Sequence, residues 1–300
     1  MSLEKEILRL KKAKDAVILA HNYQVSAVQD IADFVGDSLE LAKVAKNAKE
    51  RTIVFCGVKF MAETAKILSP QKKVLLPVLD AGCPLADMIQ PQQLIELKEK
   101  YPQAWVVSYV NTPASIKALS DVCCTSSNAV TVVKNIPVKS IIFTPDKNLG
   151  WWVKKNVPDK KLILWKGFCL VHEYFSLKDL RKSRKLHPDA EIIVHPECPR
   201  DVLENADFVF STSGMLKRAQ ESSAKKFIIG TEEGLIYRLK KENPQKEFYS
   251  LGAAKTCVNM KKTTLEDVYN ALDKENCQVE LDPNIIKQAS LALERMVEYV

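Results

Sequence analysis

Ile192-Ile193-Val194-His195-Pro196-Glu197-Cys198 is an apolar, β-branched run that stops abruptly in a histidine and a carboxylate. The same layout occurs at Val17-Ile18-Leu19-Ala20-His21-Asn22-Tyr23 and at Val106-Val107-Ser108-Tyr109-Val110-Asn111. With His21, Tyr109 and His195 in one column, the copies stand 88 and 86 residues apart (109 − 21 and 195 − 109). Other columns then fall into place. Asp33, Asp121 and Asp207 each lie 12 residues on, and Ser38, Ser126 and Thr212 each lie 17 on. Cys83, Cys169 and Cys257 follow at 62, 60 and 62. The chain reads as a tandem triplication, and its function is expected where the three copies meet.

Each copy follows one plan. A first strand (17–21, 106–109, 192–195) leads into a loop and a helix, then a short second strand ends in a hydroxyl-rich cluster such as Asp37-Ser38, Thr125-Ser126-Ser127-Asn128 or Ser211-Thr212-Ser213-Gly214. A helix, a third strand, another helix and a fourth strand running up to the cysteine complete the unit. Strands that alternate with helices predict a parallel sheet with right-handed crossovers. The expectation is an α/β fold of three pseudo-threefold-related repeats, each a four-stranded parallel sheet flanked by helices, with the active site at the central interface. The boundaries fall at 1–84, 85–170 and 171–258, and residues 259–300 form a tail of helices packing back on repeat one. Before the first strand, residues 3–14 read as an amphipathic helix with Leu3, Ile7, Leu8 and Leu10 on one side.

Bulk properties set outer limits. A length of 300 residues suggests two domains of roughly 150 each, but the repeat overrides that prior. No apolar run approaches the roughly 18 residues of a membrane span, and the amino terminus lacks the apolar core of a signal peptide. A cytoplasmic protein with no membrane partner is expected, so the eight cysteines read as thiols or metal ligands rather than disulfides. The net charge of +7 is spread over doublets such as Lys11-Lys12 and Lys72-Lys73, and Arg181-Lys182-Ser183-Arg184-Lys185 reads as a solvated helix face. No nucleic-acid-binding signature accompanies it, so nucleic acid is not expected as a partner. A modest positive field suits small anionic substrates.

In open parallel sheets the loops beyond the strands' carboxyl ends line the ligand crevice. His21, Tyr109 and His195 stand at such ends, as do Ser38, Ser126 and Thr212. One hydroxyl opening a helix reads as an N-cap; three at one offset suggest three helix ends, each offering free N–H groups and a positive dipole end to an anionic group. Glu197, two residues past His195, is the best placed carboxylate for a general base. Asp33, Asp121 and Asp207 precede the second strands, away from the crevice, and read as caps or turn residues. Cys83, Cys169 and Cys257 each follow a fourth strand, and no CxxC occurs anywhere. One thiolate per repeat at one structural position suits a 4Fe-4S cluster, one per chain, with one iron lacking a protein ligand. A three-cysteine zinc site is the alternative. Cys56, Cys123 and Cys124 lie in apolar strands, Cys277 in the tail, and Cys198 has no counterpart in the other repeats; none of them joins the ligand set.

Several stretches resemble the quinolinate synthase family: His21-Asn22-Tyr23-Gln24, Gly36-Asp37-Ser38-Leu39, Met61-Ala62-Glu63-Thr64-Ala65, Tyr109-Val110-Asn111, Thr125-Ser126-Ser127-Asn128-Ala129, Pro145-Asp146-Lys147-Asn148-Leu149, His195-Pro196-Glu197-Cys198 and Ser211-Thr212-Ser213-Gly214-Met215. The likeness runs through all three repeats to about Lys262. Some members of that family carry CxxCxxC near the carboxyl end, whereas here Cys257 is followed by Val258-Asn259-Met260, as in the shorter form. The resemblance implies a transferase that condenses iminosuccinate (iminoaspartate) with dihydroxyacetone phosphate to give quinolinate, phosphate and water on the way to NAD. It implies the cluster as Lewis acid, and a functional link to an enzyme that oxidises aspartate. It further implies Glu197, His195, His21, Tyr23 and Tyr109 as proton-handling residues. Substrate contacts would come from His21, Ser38, Tyr109, Val110, Asn111, Ser126, His195, Pro196, Glu197, Ser211 and Thr212. The nearest rivals are other threefold α/β enzymes with three cluster cysteines, the diphthamide-synthesis enzyme and the terminal reductase of non-mevalonate isoprenoid synthesis. A non-catalytic iron–sulfur sensor is more remote, since no partner or DNA-binding module is visible.

Overall fold

A computed structural model describes residues 2–299. After helix α1 (Leu3–Ala13), the first repeat runs β1 (Ala16–His21), α2 (Ser26–Ile31), β2 (Phe34–Gly36), α3 (Ser38–Asn47), β3 (Thr52–Cys56), α4 (Lys59–Leu68) and β4 (Lys73–Leu75). The second runs α5 (Pro91–Lys100), β5 (Trp105–Tyr109), α6 (Ala114–Ala118), β6 (Val122–Cys124), α7 (Ala129–Asn135), β7 (Ser140–Thr144), α8 (Lys147–Asn156) and β8 (Lys161–Leu164). The third adds α9 (Leu170–Glu173) and α10 (Leu177–Leu186), then β9 (Glu191–Val194), α11 (Arg200–Asn205), β10 (Phe208–Val209), α12 (Thr212–Glu221), β11 (Lys226–Gly230), α13 (Gly234–Glu242) and β12 (Glu247–Ser250). The tail holds α14 (Leu265–Lys274) and α15 (Pro283–Glu298). Three four-stranded sheets result, in the orders β2-β1-β3-β4, β6-β5-β7-β8 and β10-β9-β11-β12, with every pairing parallel. The expected α/β triplication is what the chain forms.

Two side-chain columns hold each unit together. The Asp33, Asp121 and Asp207 carboxylates accept the backbone N–H of Ile18, Val106 and Ile192 at 2.8, 2.7 and 2.8 Å. In return, the N–H of each aspartate donates to the carbonyl of that same strand residue. Each aspartate thus extends the ladder by one rung at the entry to the second strand, satisfying strand groups that would otherwise lack partners. At the opposite side of each unit, Lys72, Lys160 and Lys246 turn inward. Their amines donate to Ala48 and Glu50, to Ile136, and to Ala219 and Ser222, carbonyls at or just beyond the ends of α3, α7 and α12. An ammonium there meets both the unpaired carbonyls and the negative end of the helix dipole.

The apolar core is unevenly shared. One cluster runs continuously through the first and second repeats and takes in α15, while two separate clusters serve the third. The two tail helices go to different places. α14 lies along α1 and β3 of the first repeat, but α15 seats on α6 and β6 of the second and on α4 of the first, bridging the two rather than packing on repeat one alone. In α1 only Ile7 and Leu10 are buried, while Leu3 and Leu8 are 38% and 45% exposed, so its apolar stripe is narrower than the sequence pattern implies. Among the described residues, no helix is long and apolar enough to cross a membrane.

Candidate active site

The carboxyl ends of the three sheets converge on one cavity. With its open mouth included, the space measures about 680 Å³. Cys83, Cys169 and Cys257 all line it, one from each repeat, and all are half-buried free thiols. Local structure brings them there the same way each time. The N–H of Lys59, Lys147 and Glu233, at the start of the helix after the third strand, donates to the carbonyl two residues before the cysteine, Ala81, Gly167 and Lys255. Gly167 is required at this crossing, because a Cβ there would lie 2.5 Å from the Pro145 carbonyl oxygen. In two repeats a buried carboxylate adds a second tie: Asp146 accepts the Cys169 N–H and Glu232 the Cys257 N–H, each at 3.1 Å. The first repeat has Val58 in that column and lacks the tie.

Burial pushes the Cys83 thiol up to about 12, and raises Cys169 and Cys257 above the ordinary thiol value. Three sulfurs so placed become thiolates together only around a strongly cationic group, and soft sulfur donors select iron–sulfur clusters, zinc or copper over hard cations. The donor set therefore fits a three-cysteine metal centre. Among the described residues, the set that brings three donor atoms within 4.8 Å of one another is Cys169, His172 and Glu197, a sulfur, a ring nitrogen and a carboxylate oxygen, and not the three cysteines, whose wider spacing suits a cluster rather than a single ion. In that set, however, His172 Nδ1 and Glu197 Oε2 are already paired at 2.7 Å.

His21, Tyr23, Tyr109, Asn111, Ser126, His195, Glu197, Ser38 and Thr212 line the same cavity. The expected contacts Val110, Pro196 and Ser211 are buried but do not. Val110 instead borders a small apolar pocket with Phe55 and Phe60, and Ser211 accepts the Gly214 N–H as the cap of α12. The helix starts also differ from the expectation. Asp37, not Ser38, caps α3, taking the N–H of Leu39 and Glu40 at 2.9 Å each. Ser38 and Thr212 are the first residues of α3 and α12, which frees their hydroxyls for the cavity. Because Asp37 sets its own carboxylate on α3, that end is already matched with an anion, while Ser126 stands three residues before the start of α7 rather than opening it.

His172, Thr231 and Asn22 complete a network that the sequence reading missed. The Tyr23 hydroxyl lies 2.6 Å from Thr231 Oγ1, which is 2.9 Å from His172 Nε2. The His172 ring stacks on His195 at 4.5 Å, and His195 Nε2 is 3.2 Å from Ser126 Oγ. Asn22 donates to Thr212 Oγ1 at 2.9 Å. His172 carries a signal in retrospect, a Cys-x-x-His spacing from Cys169, but it has no partner in the other copies. Burial, reinforced by His195 and Lys261, lowers His21 to about 3, so it is a neutral imidazole at pH 7. Burial also lowers His195, with His172 adding to the effect. Burial and then the Glu197 charge raise Tyr23 and Tyr109, which stay protonated phenols. Glu197 itself is pushed up by burial but pulled further down by His172 and His195, and is an ionised carboxylate. Asn111 Nδ2 lies 3.4 Å from Glu197 Oε1, while Asn111 Oδ1 is a buried acceptor without a partner.

A family model described as Quinolinate synthetase A protein matches residues 5–298. A quinolinate synthase of Caldicellulosiruptor saccharolyticus is 55% identical over 296 residues, 99% of this chain and 98% of the relative. One from Thermodesulfovibrio yellowstonii is 54% identical over 295 residues, 98% of this chain and 97% of the relative. One from Clostridium perfringens is 49% identical over 296 residues, covering 99% and 98%.

Proposed function

The chain belongs to the quinolinate synthetase A family, and from that premise we propose that it condenses iminosuccinate with dihydroxyacetone phosphate, releasing quinolinate, phosphate and water. Cys83, Cys169 and Cys257 would hold a 4Fe-4S cluster, one per chain. The observation that carries this reading is the meeting of one cysteine from each repeat on the cavity lined by His21, Tyr109, Glu197 and His195. When bound, a cluster with three protein ligands supplies an open iron, a Lewis acid for a hydroxyl or carboxylate oxygen.

The chain's own residues would do the rest. Neither lysine nor arginine lines the cavity. Carboxylate and phosphate groups would therefore be met by the Ser38, Ser126 and Thr212 hydroxyls and the neutral histidines. The unpartnered Asn111 Oδ1 would accept an N–H or O–H of the substrate, since a buried acceptor left alone costs about 1–3 kcal/mol. Tyr23, Thr231, His172 and Glu197 form an unbroken hydrogen-bonded line that would hold the Tyr23 phenol in place at the cavity. That line revises the role of Glu197. A carboxylate paired so strongly is a weak base alone, and acts by holding His172 and His195 ready to take protons. The substrate imine would come from an enzyme that oxidises aspartate, in the cytoplasm.

The test is anaerobic incubation of the reconstituted protein with both substrates, with quinolinate followed by absorbance, beside iron and sulfide analysis of Cys83→Ala, Cys169→Ala and Cys257→Ala. Each variant is expected to lose the brown chromophore and the activity together. A full iron complement in any of them would remove that cysteine from the ligand set, and zinc in place of iron in the wild type would overturn the cluster.

A further inference from the structure

Lys117, on α6, is 0% exposed, and none of the roles above uses it. Its Nζ donates to the Thr112 carbonyl and stands 5.5 Å from the centre of the Phe60 ring. Internal comparison shows what a side chain at this position does. Lys117 follows Tyr109 by eight residues, as Gln29 follows His21 by eight. Gln29 Nε2 donates at 2.9 Å to the Gln24 carbonyl, which stands three residues past His21 as Thr112 stands three past Tyr109. In both copies, then, a nitrogen from the helix after the first strand holds the same carbonyl of the loop that leaves that strand. The third copy has Leu203 there, packed in the apolar core.

What this loop carries is Asn111. Thr112 Oγ1 donates back to the Tyr109 carbonyl at 3.0 Å, and the Ala114 N–H donates to Glu63 Oε2 at 2.9 Å. Glu63 comes from α4 of the first repeat and is itself buried. A buried ammonium is costly unless charge and hydrogen bonds compensate it, so its retention in an apolar setting calls for a geometric reason. Here compensation comes from the Thr112 carbonyl, the Phe60 ring and the nearby Glu63 carboxylate, and the geometry served is that of residues 110–113.

We propose that Lys117, together with Glu63, is a positioning residue of the active site, fixing the 110–113 turn and through it the reach of Asn111 toward Glu197. The link to catalysis rests on the function proposed above, whereas the link to the loop does not. The experiment therefore reads both. Hydrogen–deuterium exchange of residues 110–114 and steady-state kinetics are measured on cluster-loaded wild type, Lys117→Met and Lys117→Gln. Methionine keeps the apolar stem and removes the donor, and glutamine restores the donor that the first repeat uses. Lys117→Met is expected to speed exchange across 110–114 and to lower kcat/KM about tenfold, the weight of one well-placed hydrogen bond, with iron content unchanged. Lys117→Gln is expected to recover most of both. If Lys117→Met does not fold, Glu63→Ala, which frees the Ala114 N–H from the other side, carries the same expectations. Wild-type exchange in a folded Lys117→Met or Glu63→Ala protein overturns the proposal, as does equal loss in the methionine and glutamine variants. A wild type that makes no quinolinate would sink the reaction while the exchange data still decide the positioning.

Discussion

Glu197 and His21 occupy one cavity and are tuned in opposite ways. Glu197 is ionised because two imidazoles outweigh its burial; His21 is neutral because burial and a neighbouring histidine leave it nothing to gain from a proton. Glu197→Gln keeps the shape but removes the charge that His172 and His195 face. It is expected to retain full iron while kcat falls about 10²–10⁴-fold, the usual weight of a lost acid–base group; turnover at the wild-type rate would end its role. His21 gives a stability prediction with a definite sign. Its pKa is about 3 in the fold, against the ordinary 6.5 of a histidine in water. Between those values the unfolded chain binds the extra proton, so stability declines as pH falls, by up to about 1.4 kcal/mol per pH unit. Urea titrations at pH 7 and pH 5 should show that slope, and His21→Gln should flatten it. At this scale the sequence makes His21, Tyr109, His195 and the three cysteines legible because they repeat. His172 and Thr231 are illegible because they break the threefold pattern. Asp37 hides beside Ser38, since a single position separates a helix cap from a first helical residue whose hydroxyl is free.

The elements of each repeat are secured by side chains with no catalytic duty, and these were only half legible. Asp33, Asp121 and Asp207 read correctly as structural residues away from the crevice, but the sequence does not reveal that each completes a strand ladder. The lysine column was missed. In sequence, Lys72-Lys73 is one more basic doublet of the kind that coats a helix. In the fold, the first of the pair is buried and its amine closes the end of α3, as Lys160 closes α7 and Lys246 closes α12. Such ends depend on partners that the chain supplies from about 24 residues further on, beyond the window of any local pattern. Asp121→Ala would strip the Val106 N–H of its acceptor. It should cost about 1–3 kcal/mol in chemical denaturation, the penalty for a buried donor left unpaired. Kinetic constants should change little, because the damage lies at the sheet end remote from the cavity. A loss of activity without a loss of stability would mean that the aspartate column does more than hold strands.

Threefold repetition predicts three equivalent seams, and the molecule has two kinds. The first and second repeats share one continuous apolar cluster, further bridged by α15, so they behave as a single packed body. The third repeat has apolar clusters of its own, on which Trp151 and Trp152 of the second repeat and Tyr23 of the first also pack, and its seam with the first is rich in polar bonds. Asn22 donates to Thr212, Ser213 donates to Asp37 at 2.6 Å, and Arg238 donates to Asn22 Oδ1 at 2.8 Å and to the Val35 carbonyl at 2.6 Å. The sequence could not show this asymmetry, because the repeat columns record what the copies have in common and a seam depends on what differs. Polar seams of this kind favour relative motion over rigid union. This one passes through Thr212 and Asp37 in the cavity wall, so the seam and the site are coupled. Arg238→Ala removes both inter-repeat bonds of the guanidinium without touching the cavity. It should raise the KM of a substrate held by Thr212 and speed hydrogen exchange of residues 22–25 and 211–214. Exchange in β6 and α15, on the apolar side, should stay as in the wild type. Iron content should also hold, because the ties to the three cysteines are made within each repeat. If exchange rises on both sides alike, the three repeats form one cooperative unit and the polar seam carries no special freedom. If it rises only across the third repeat, that copy is the one that opens to admit substrate.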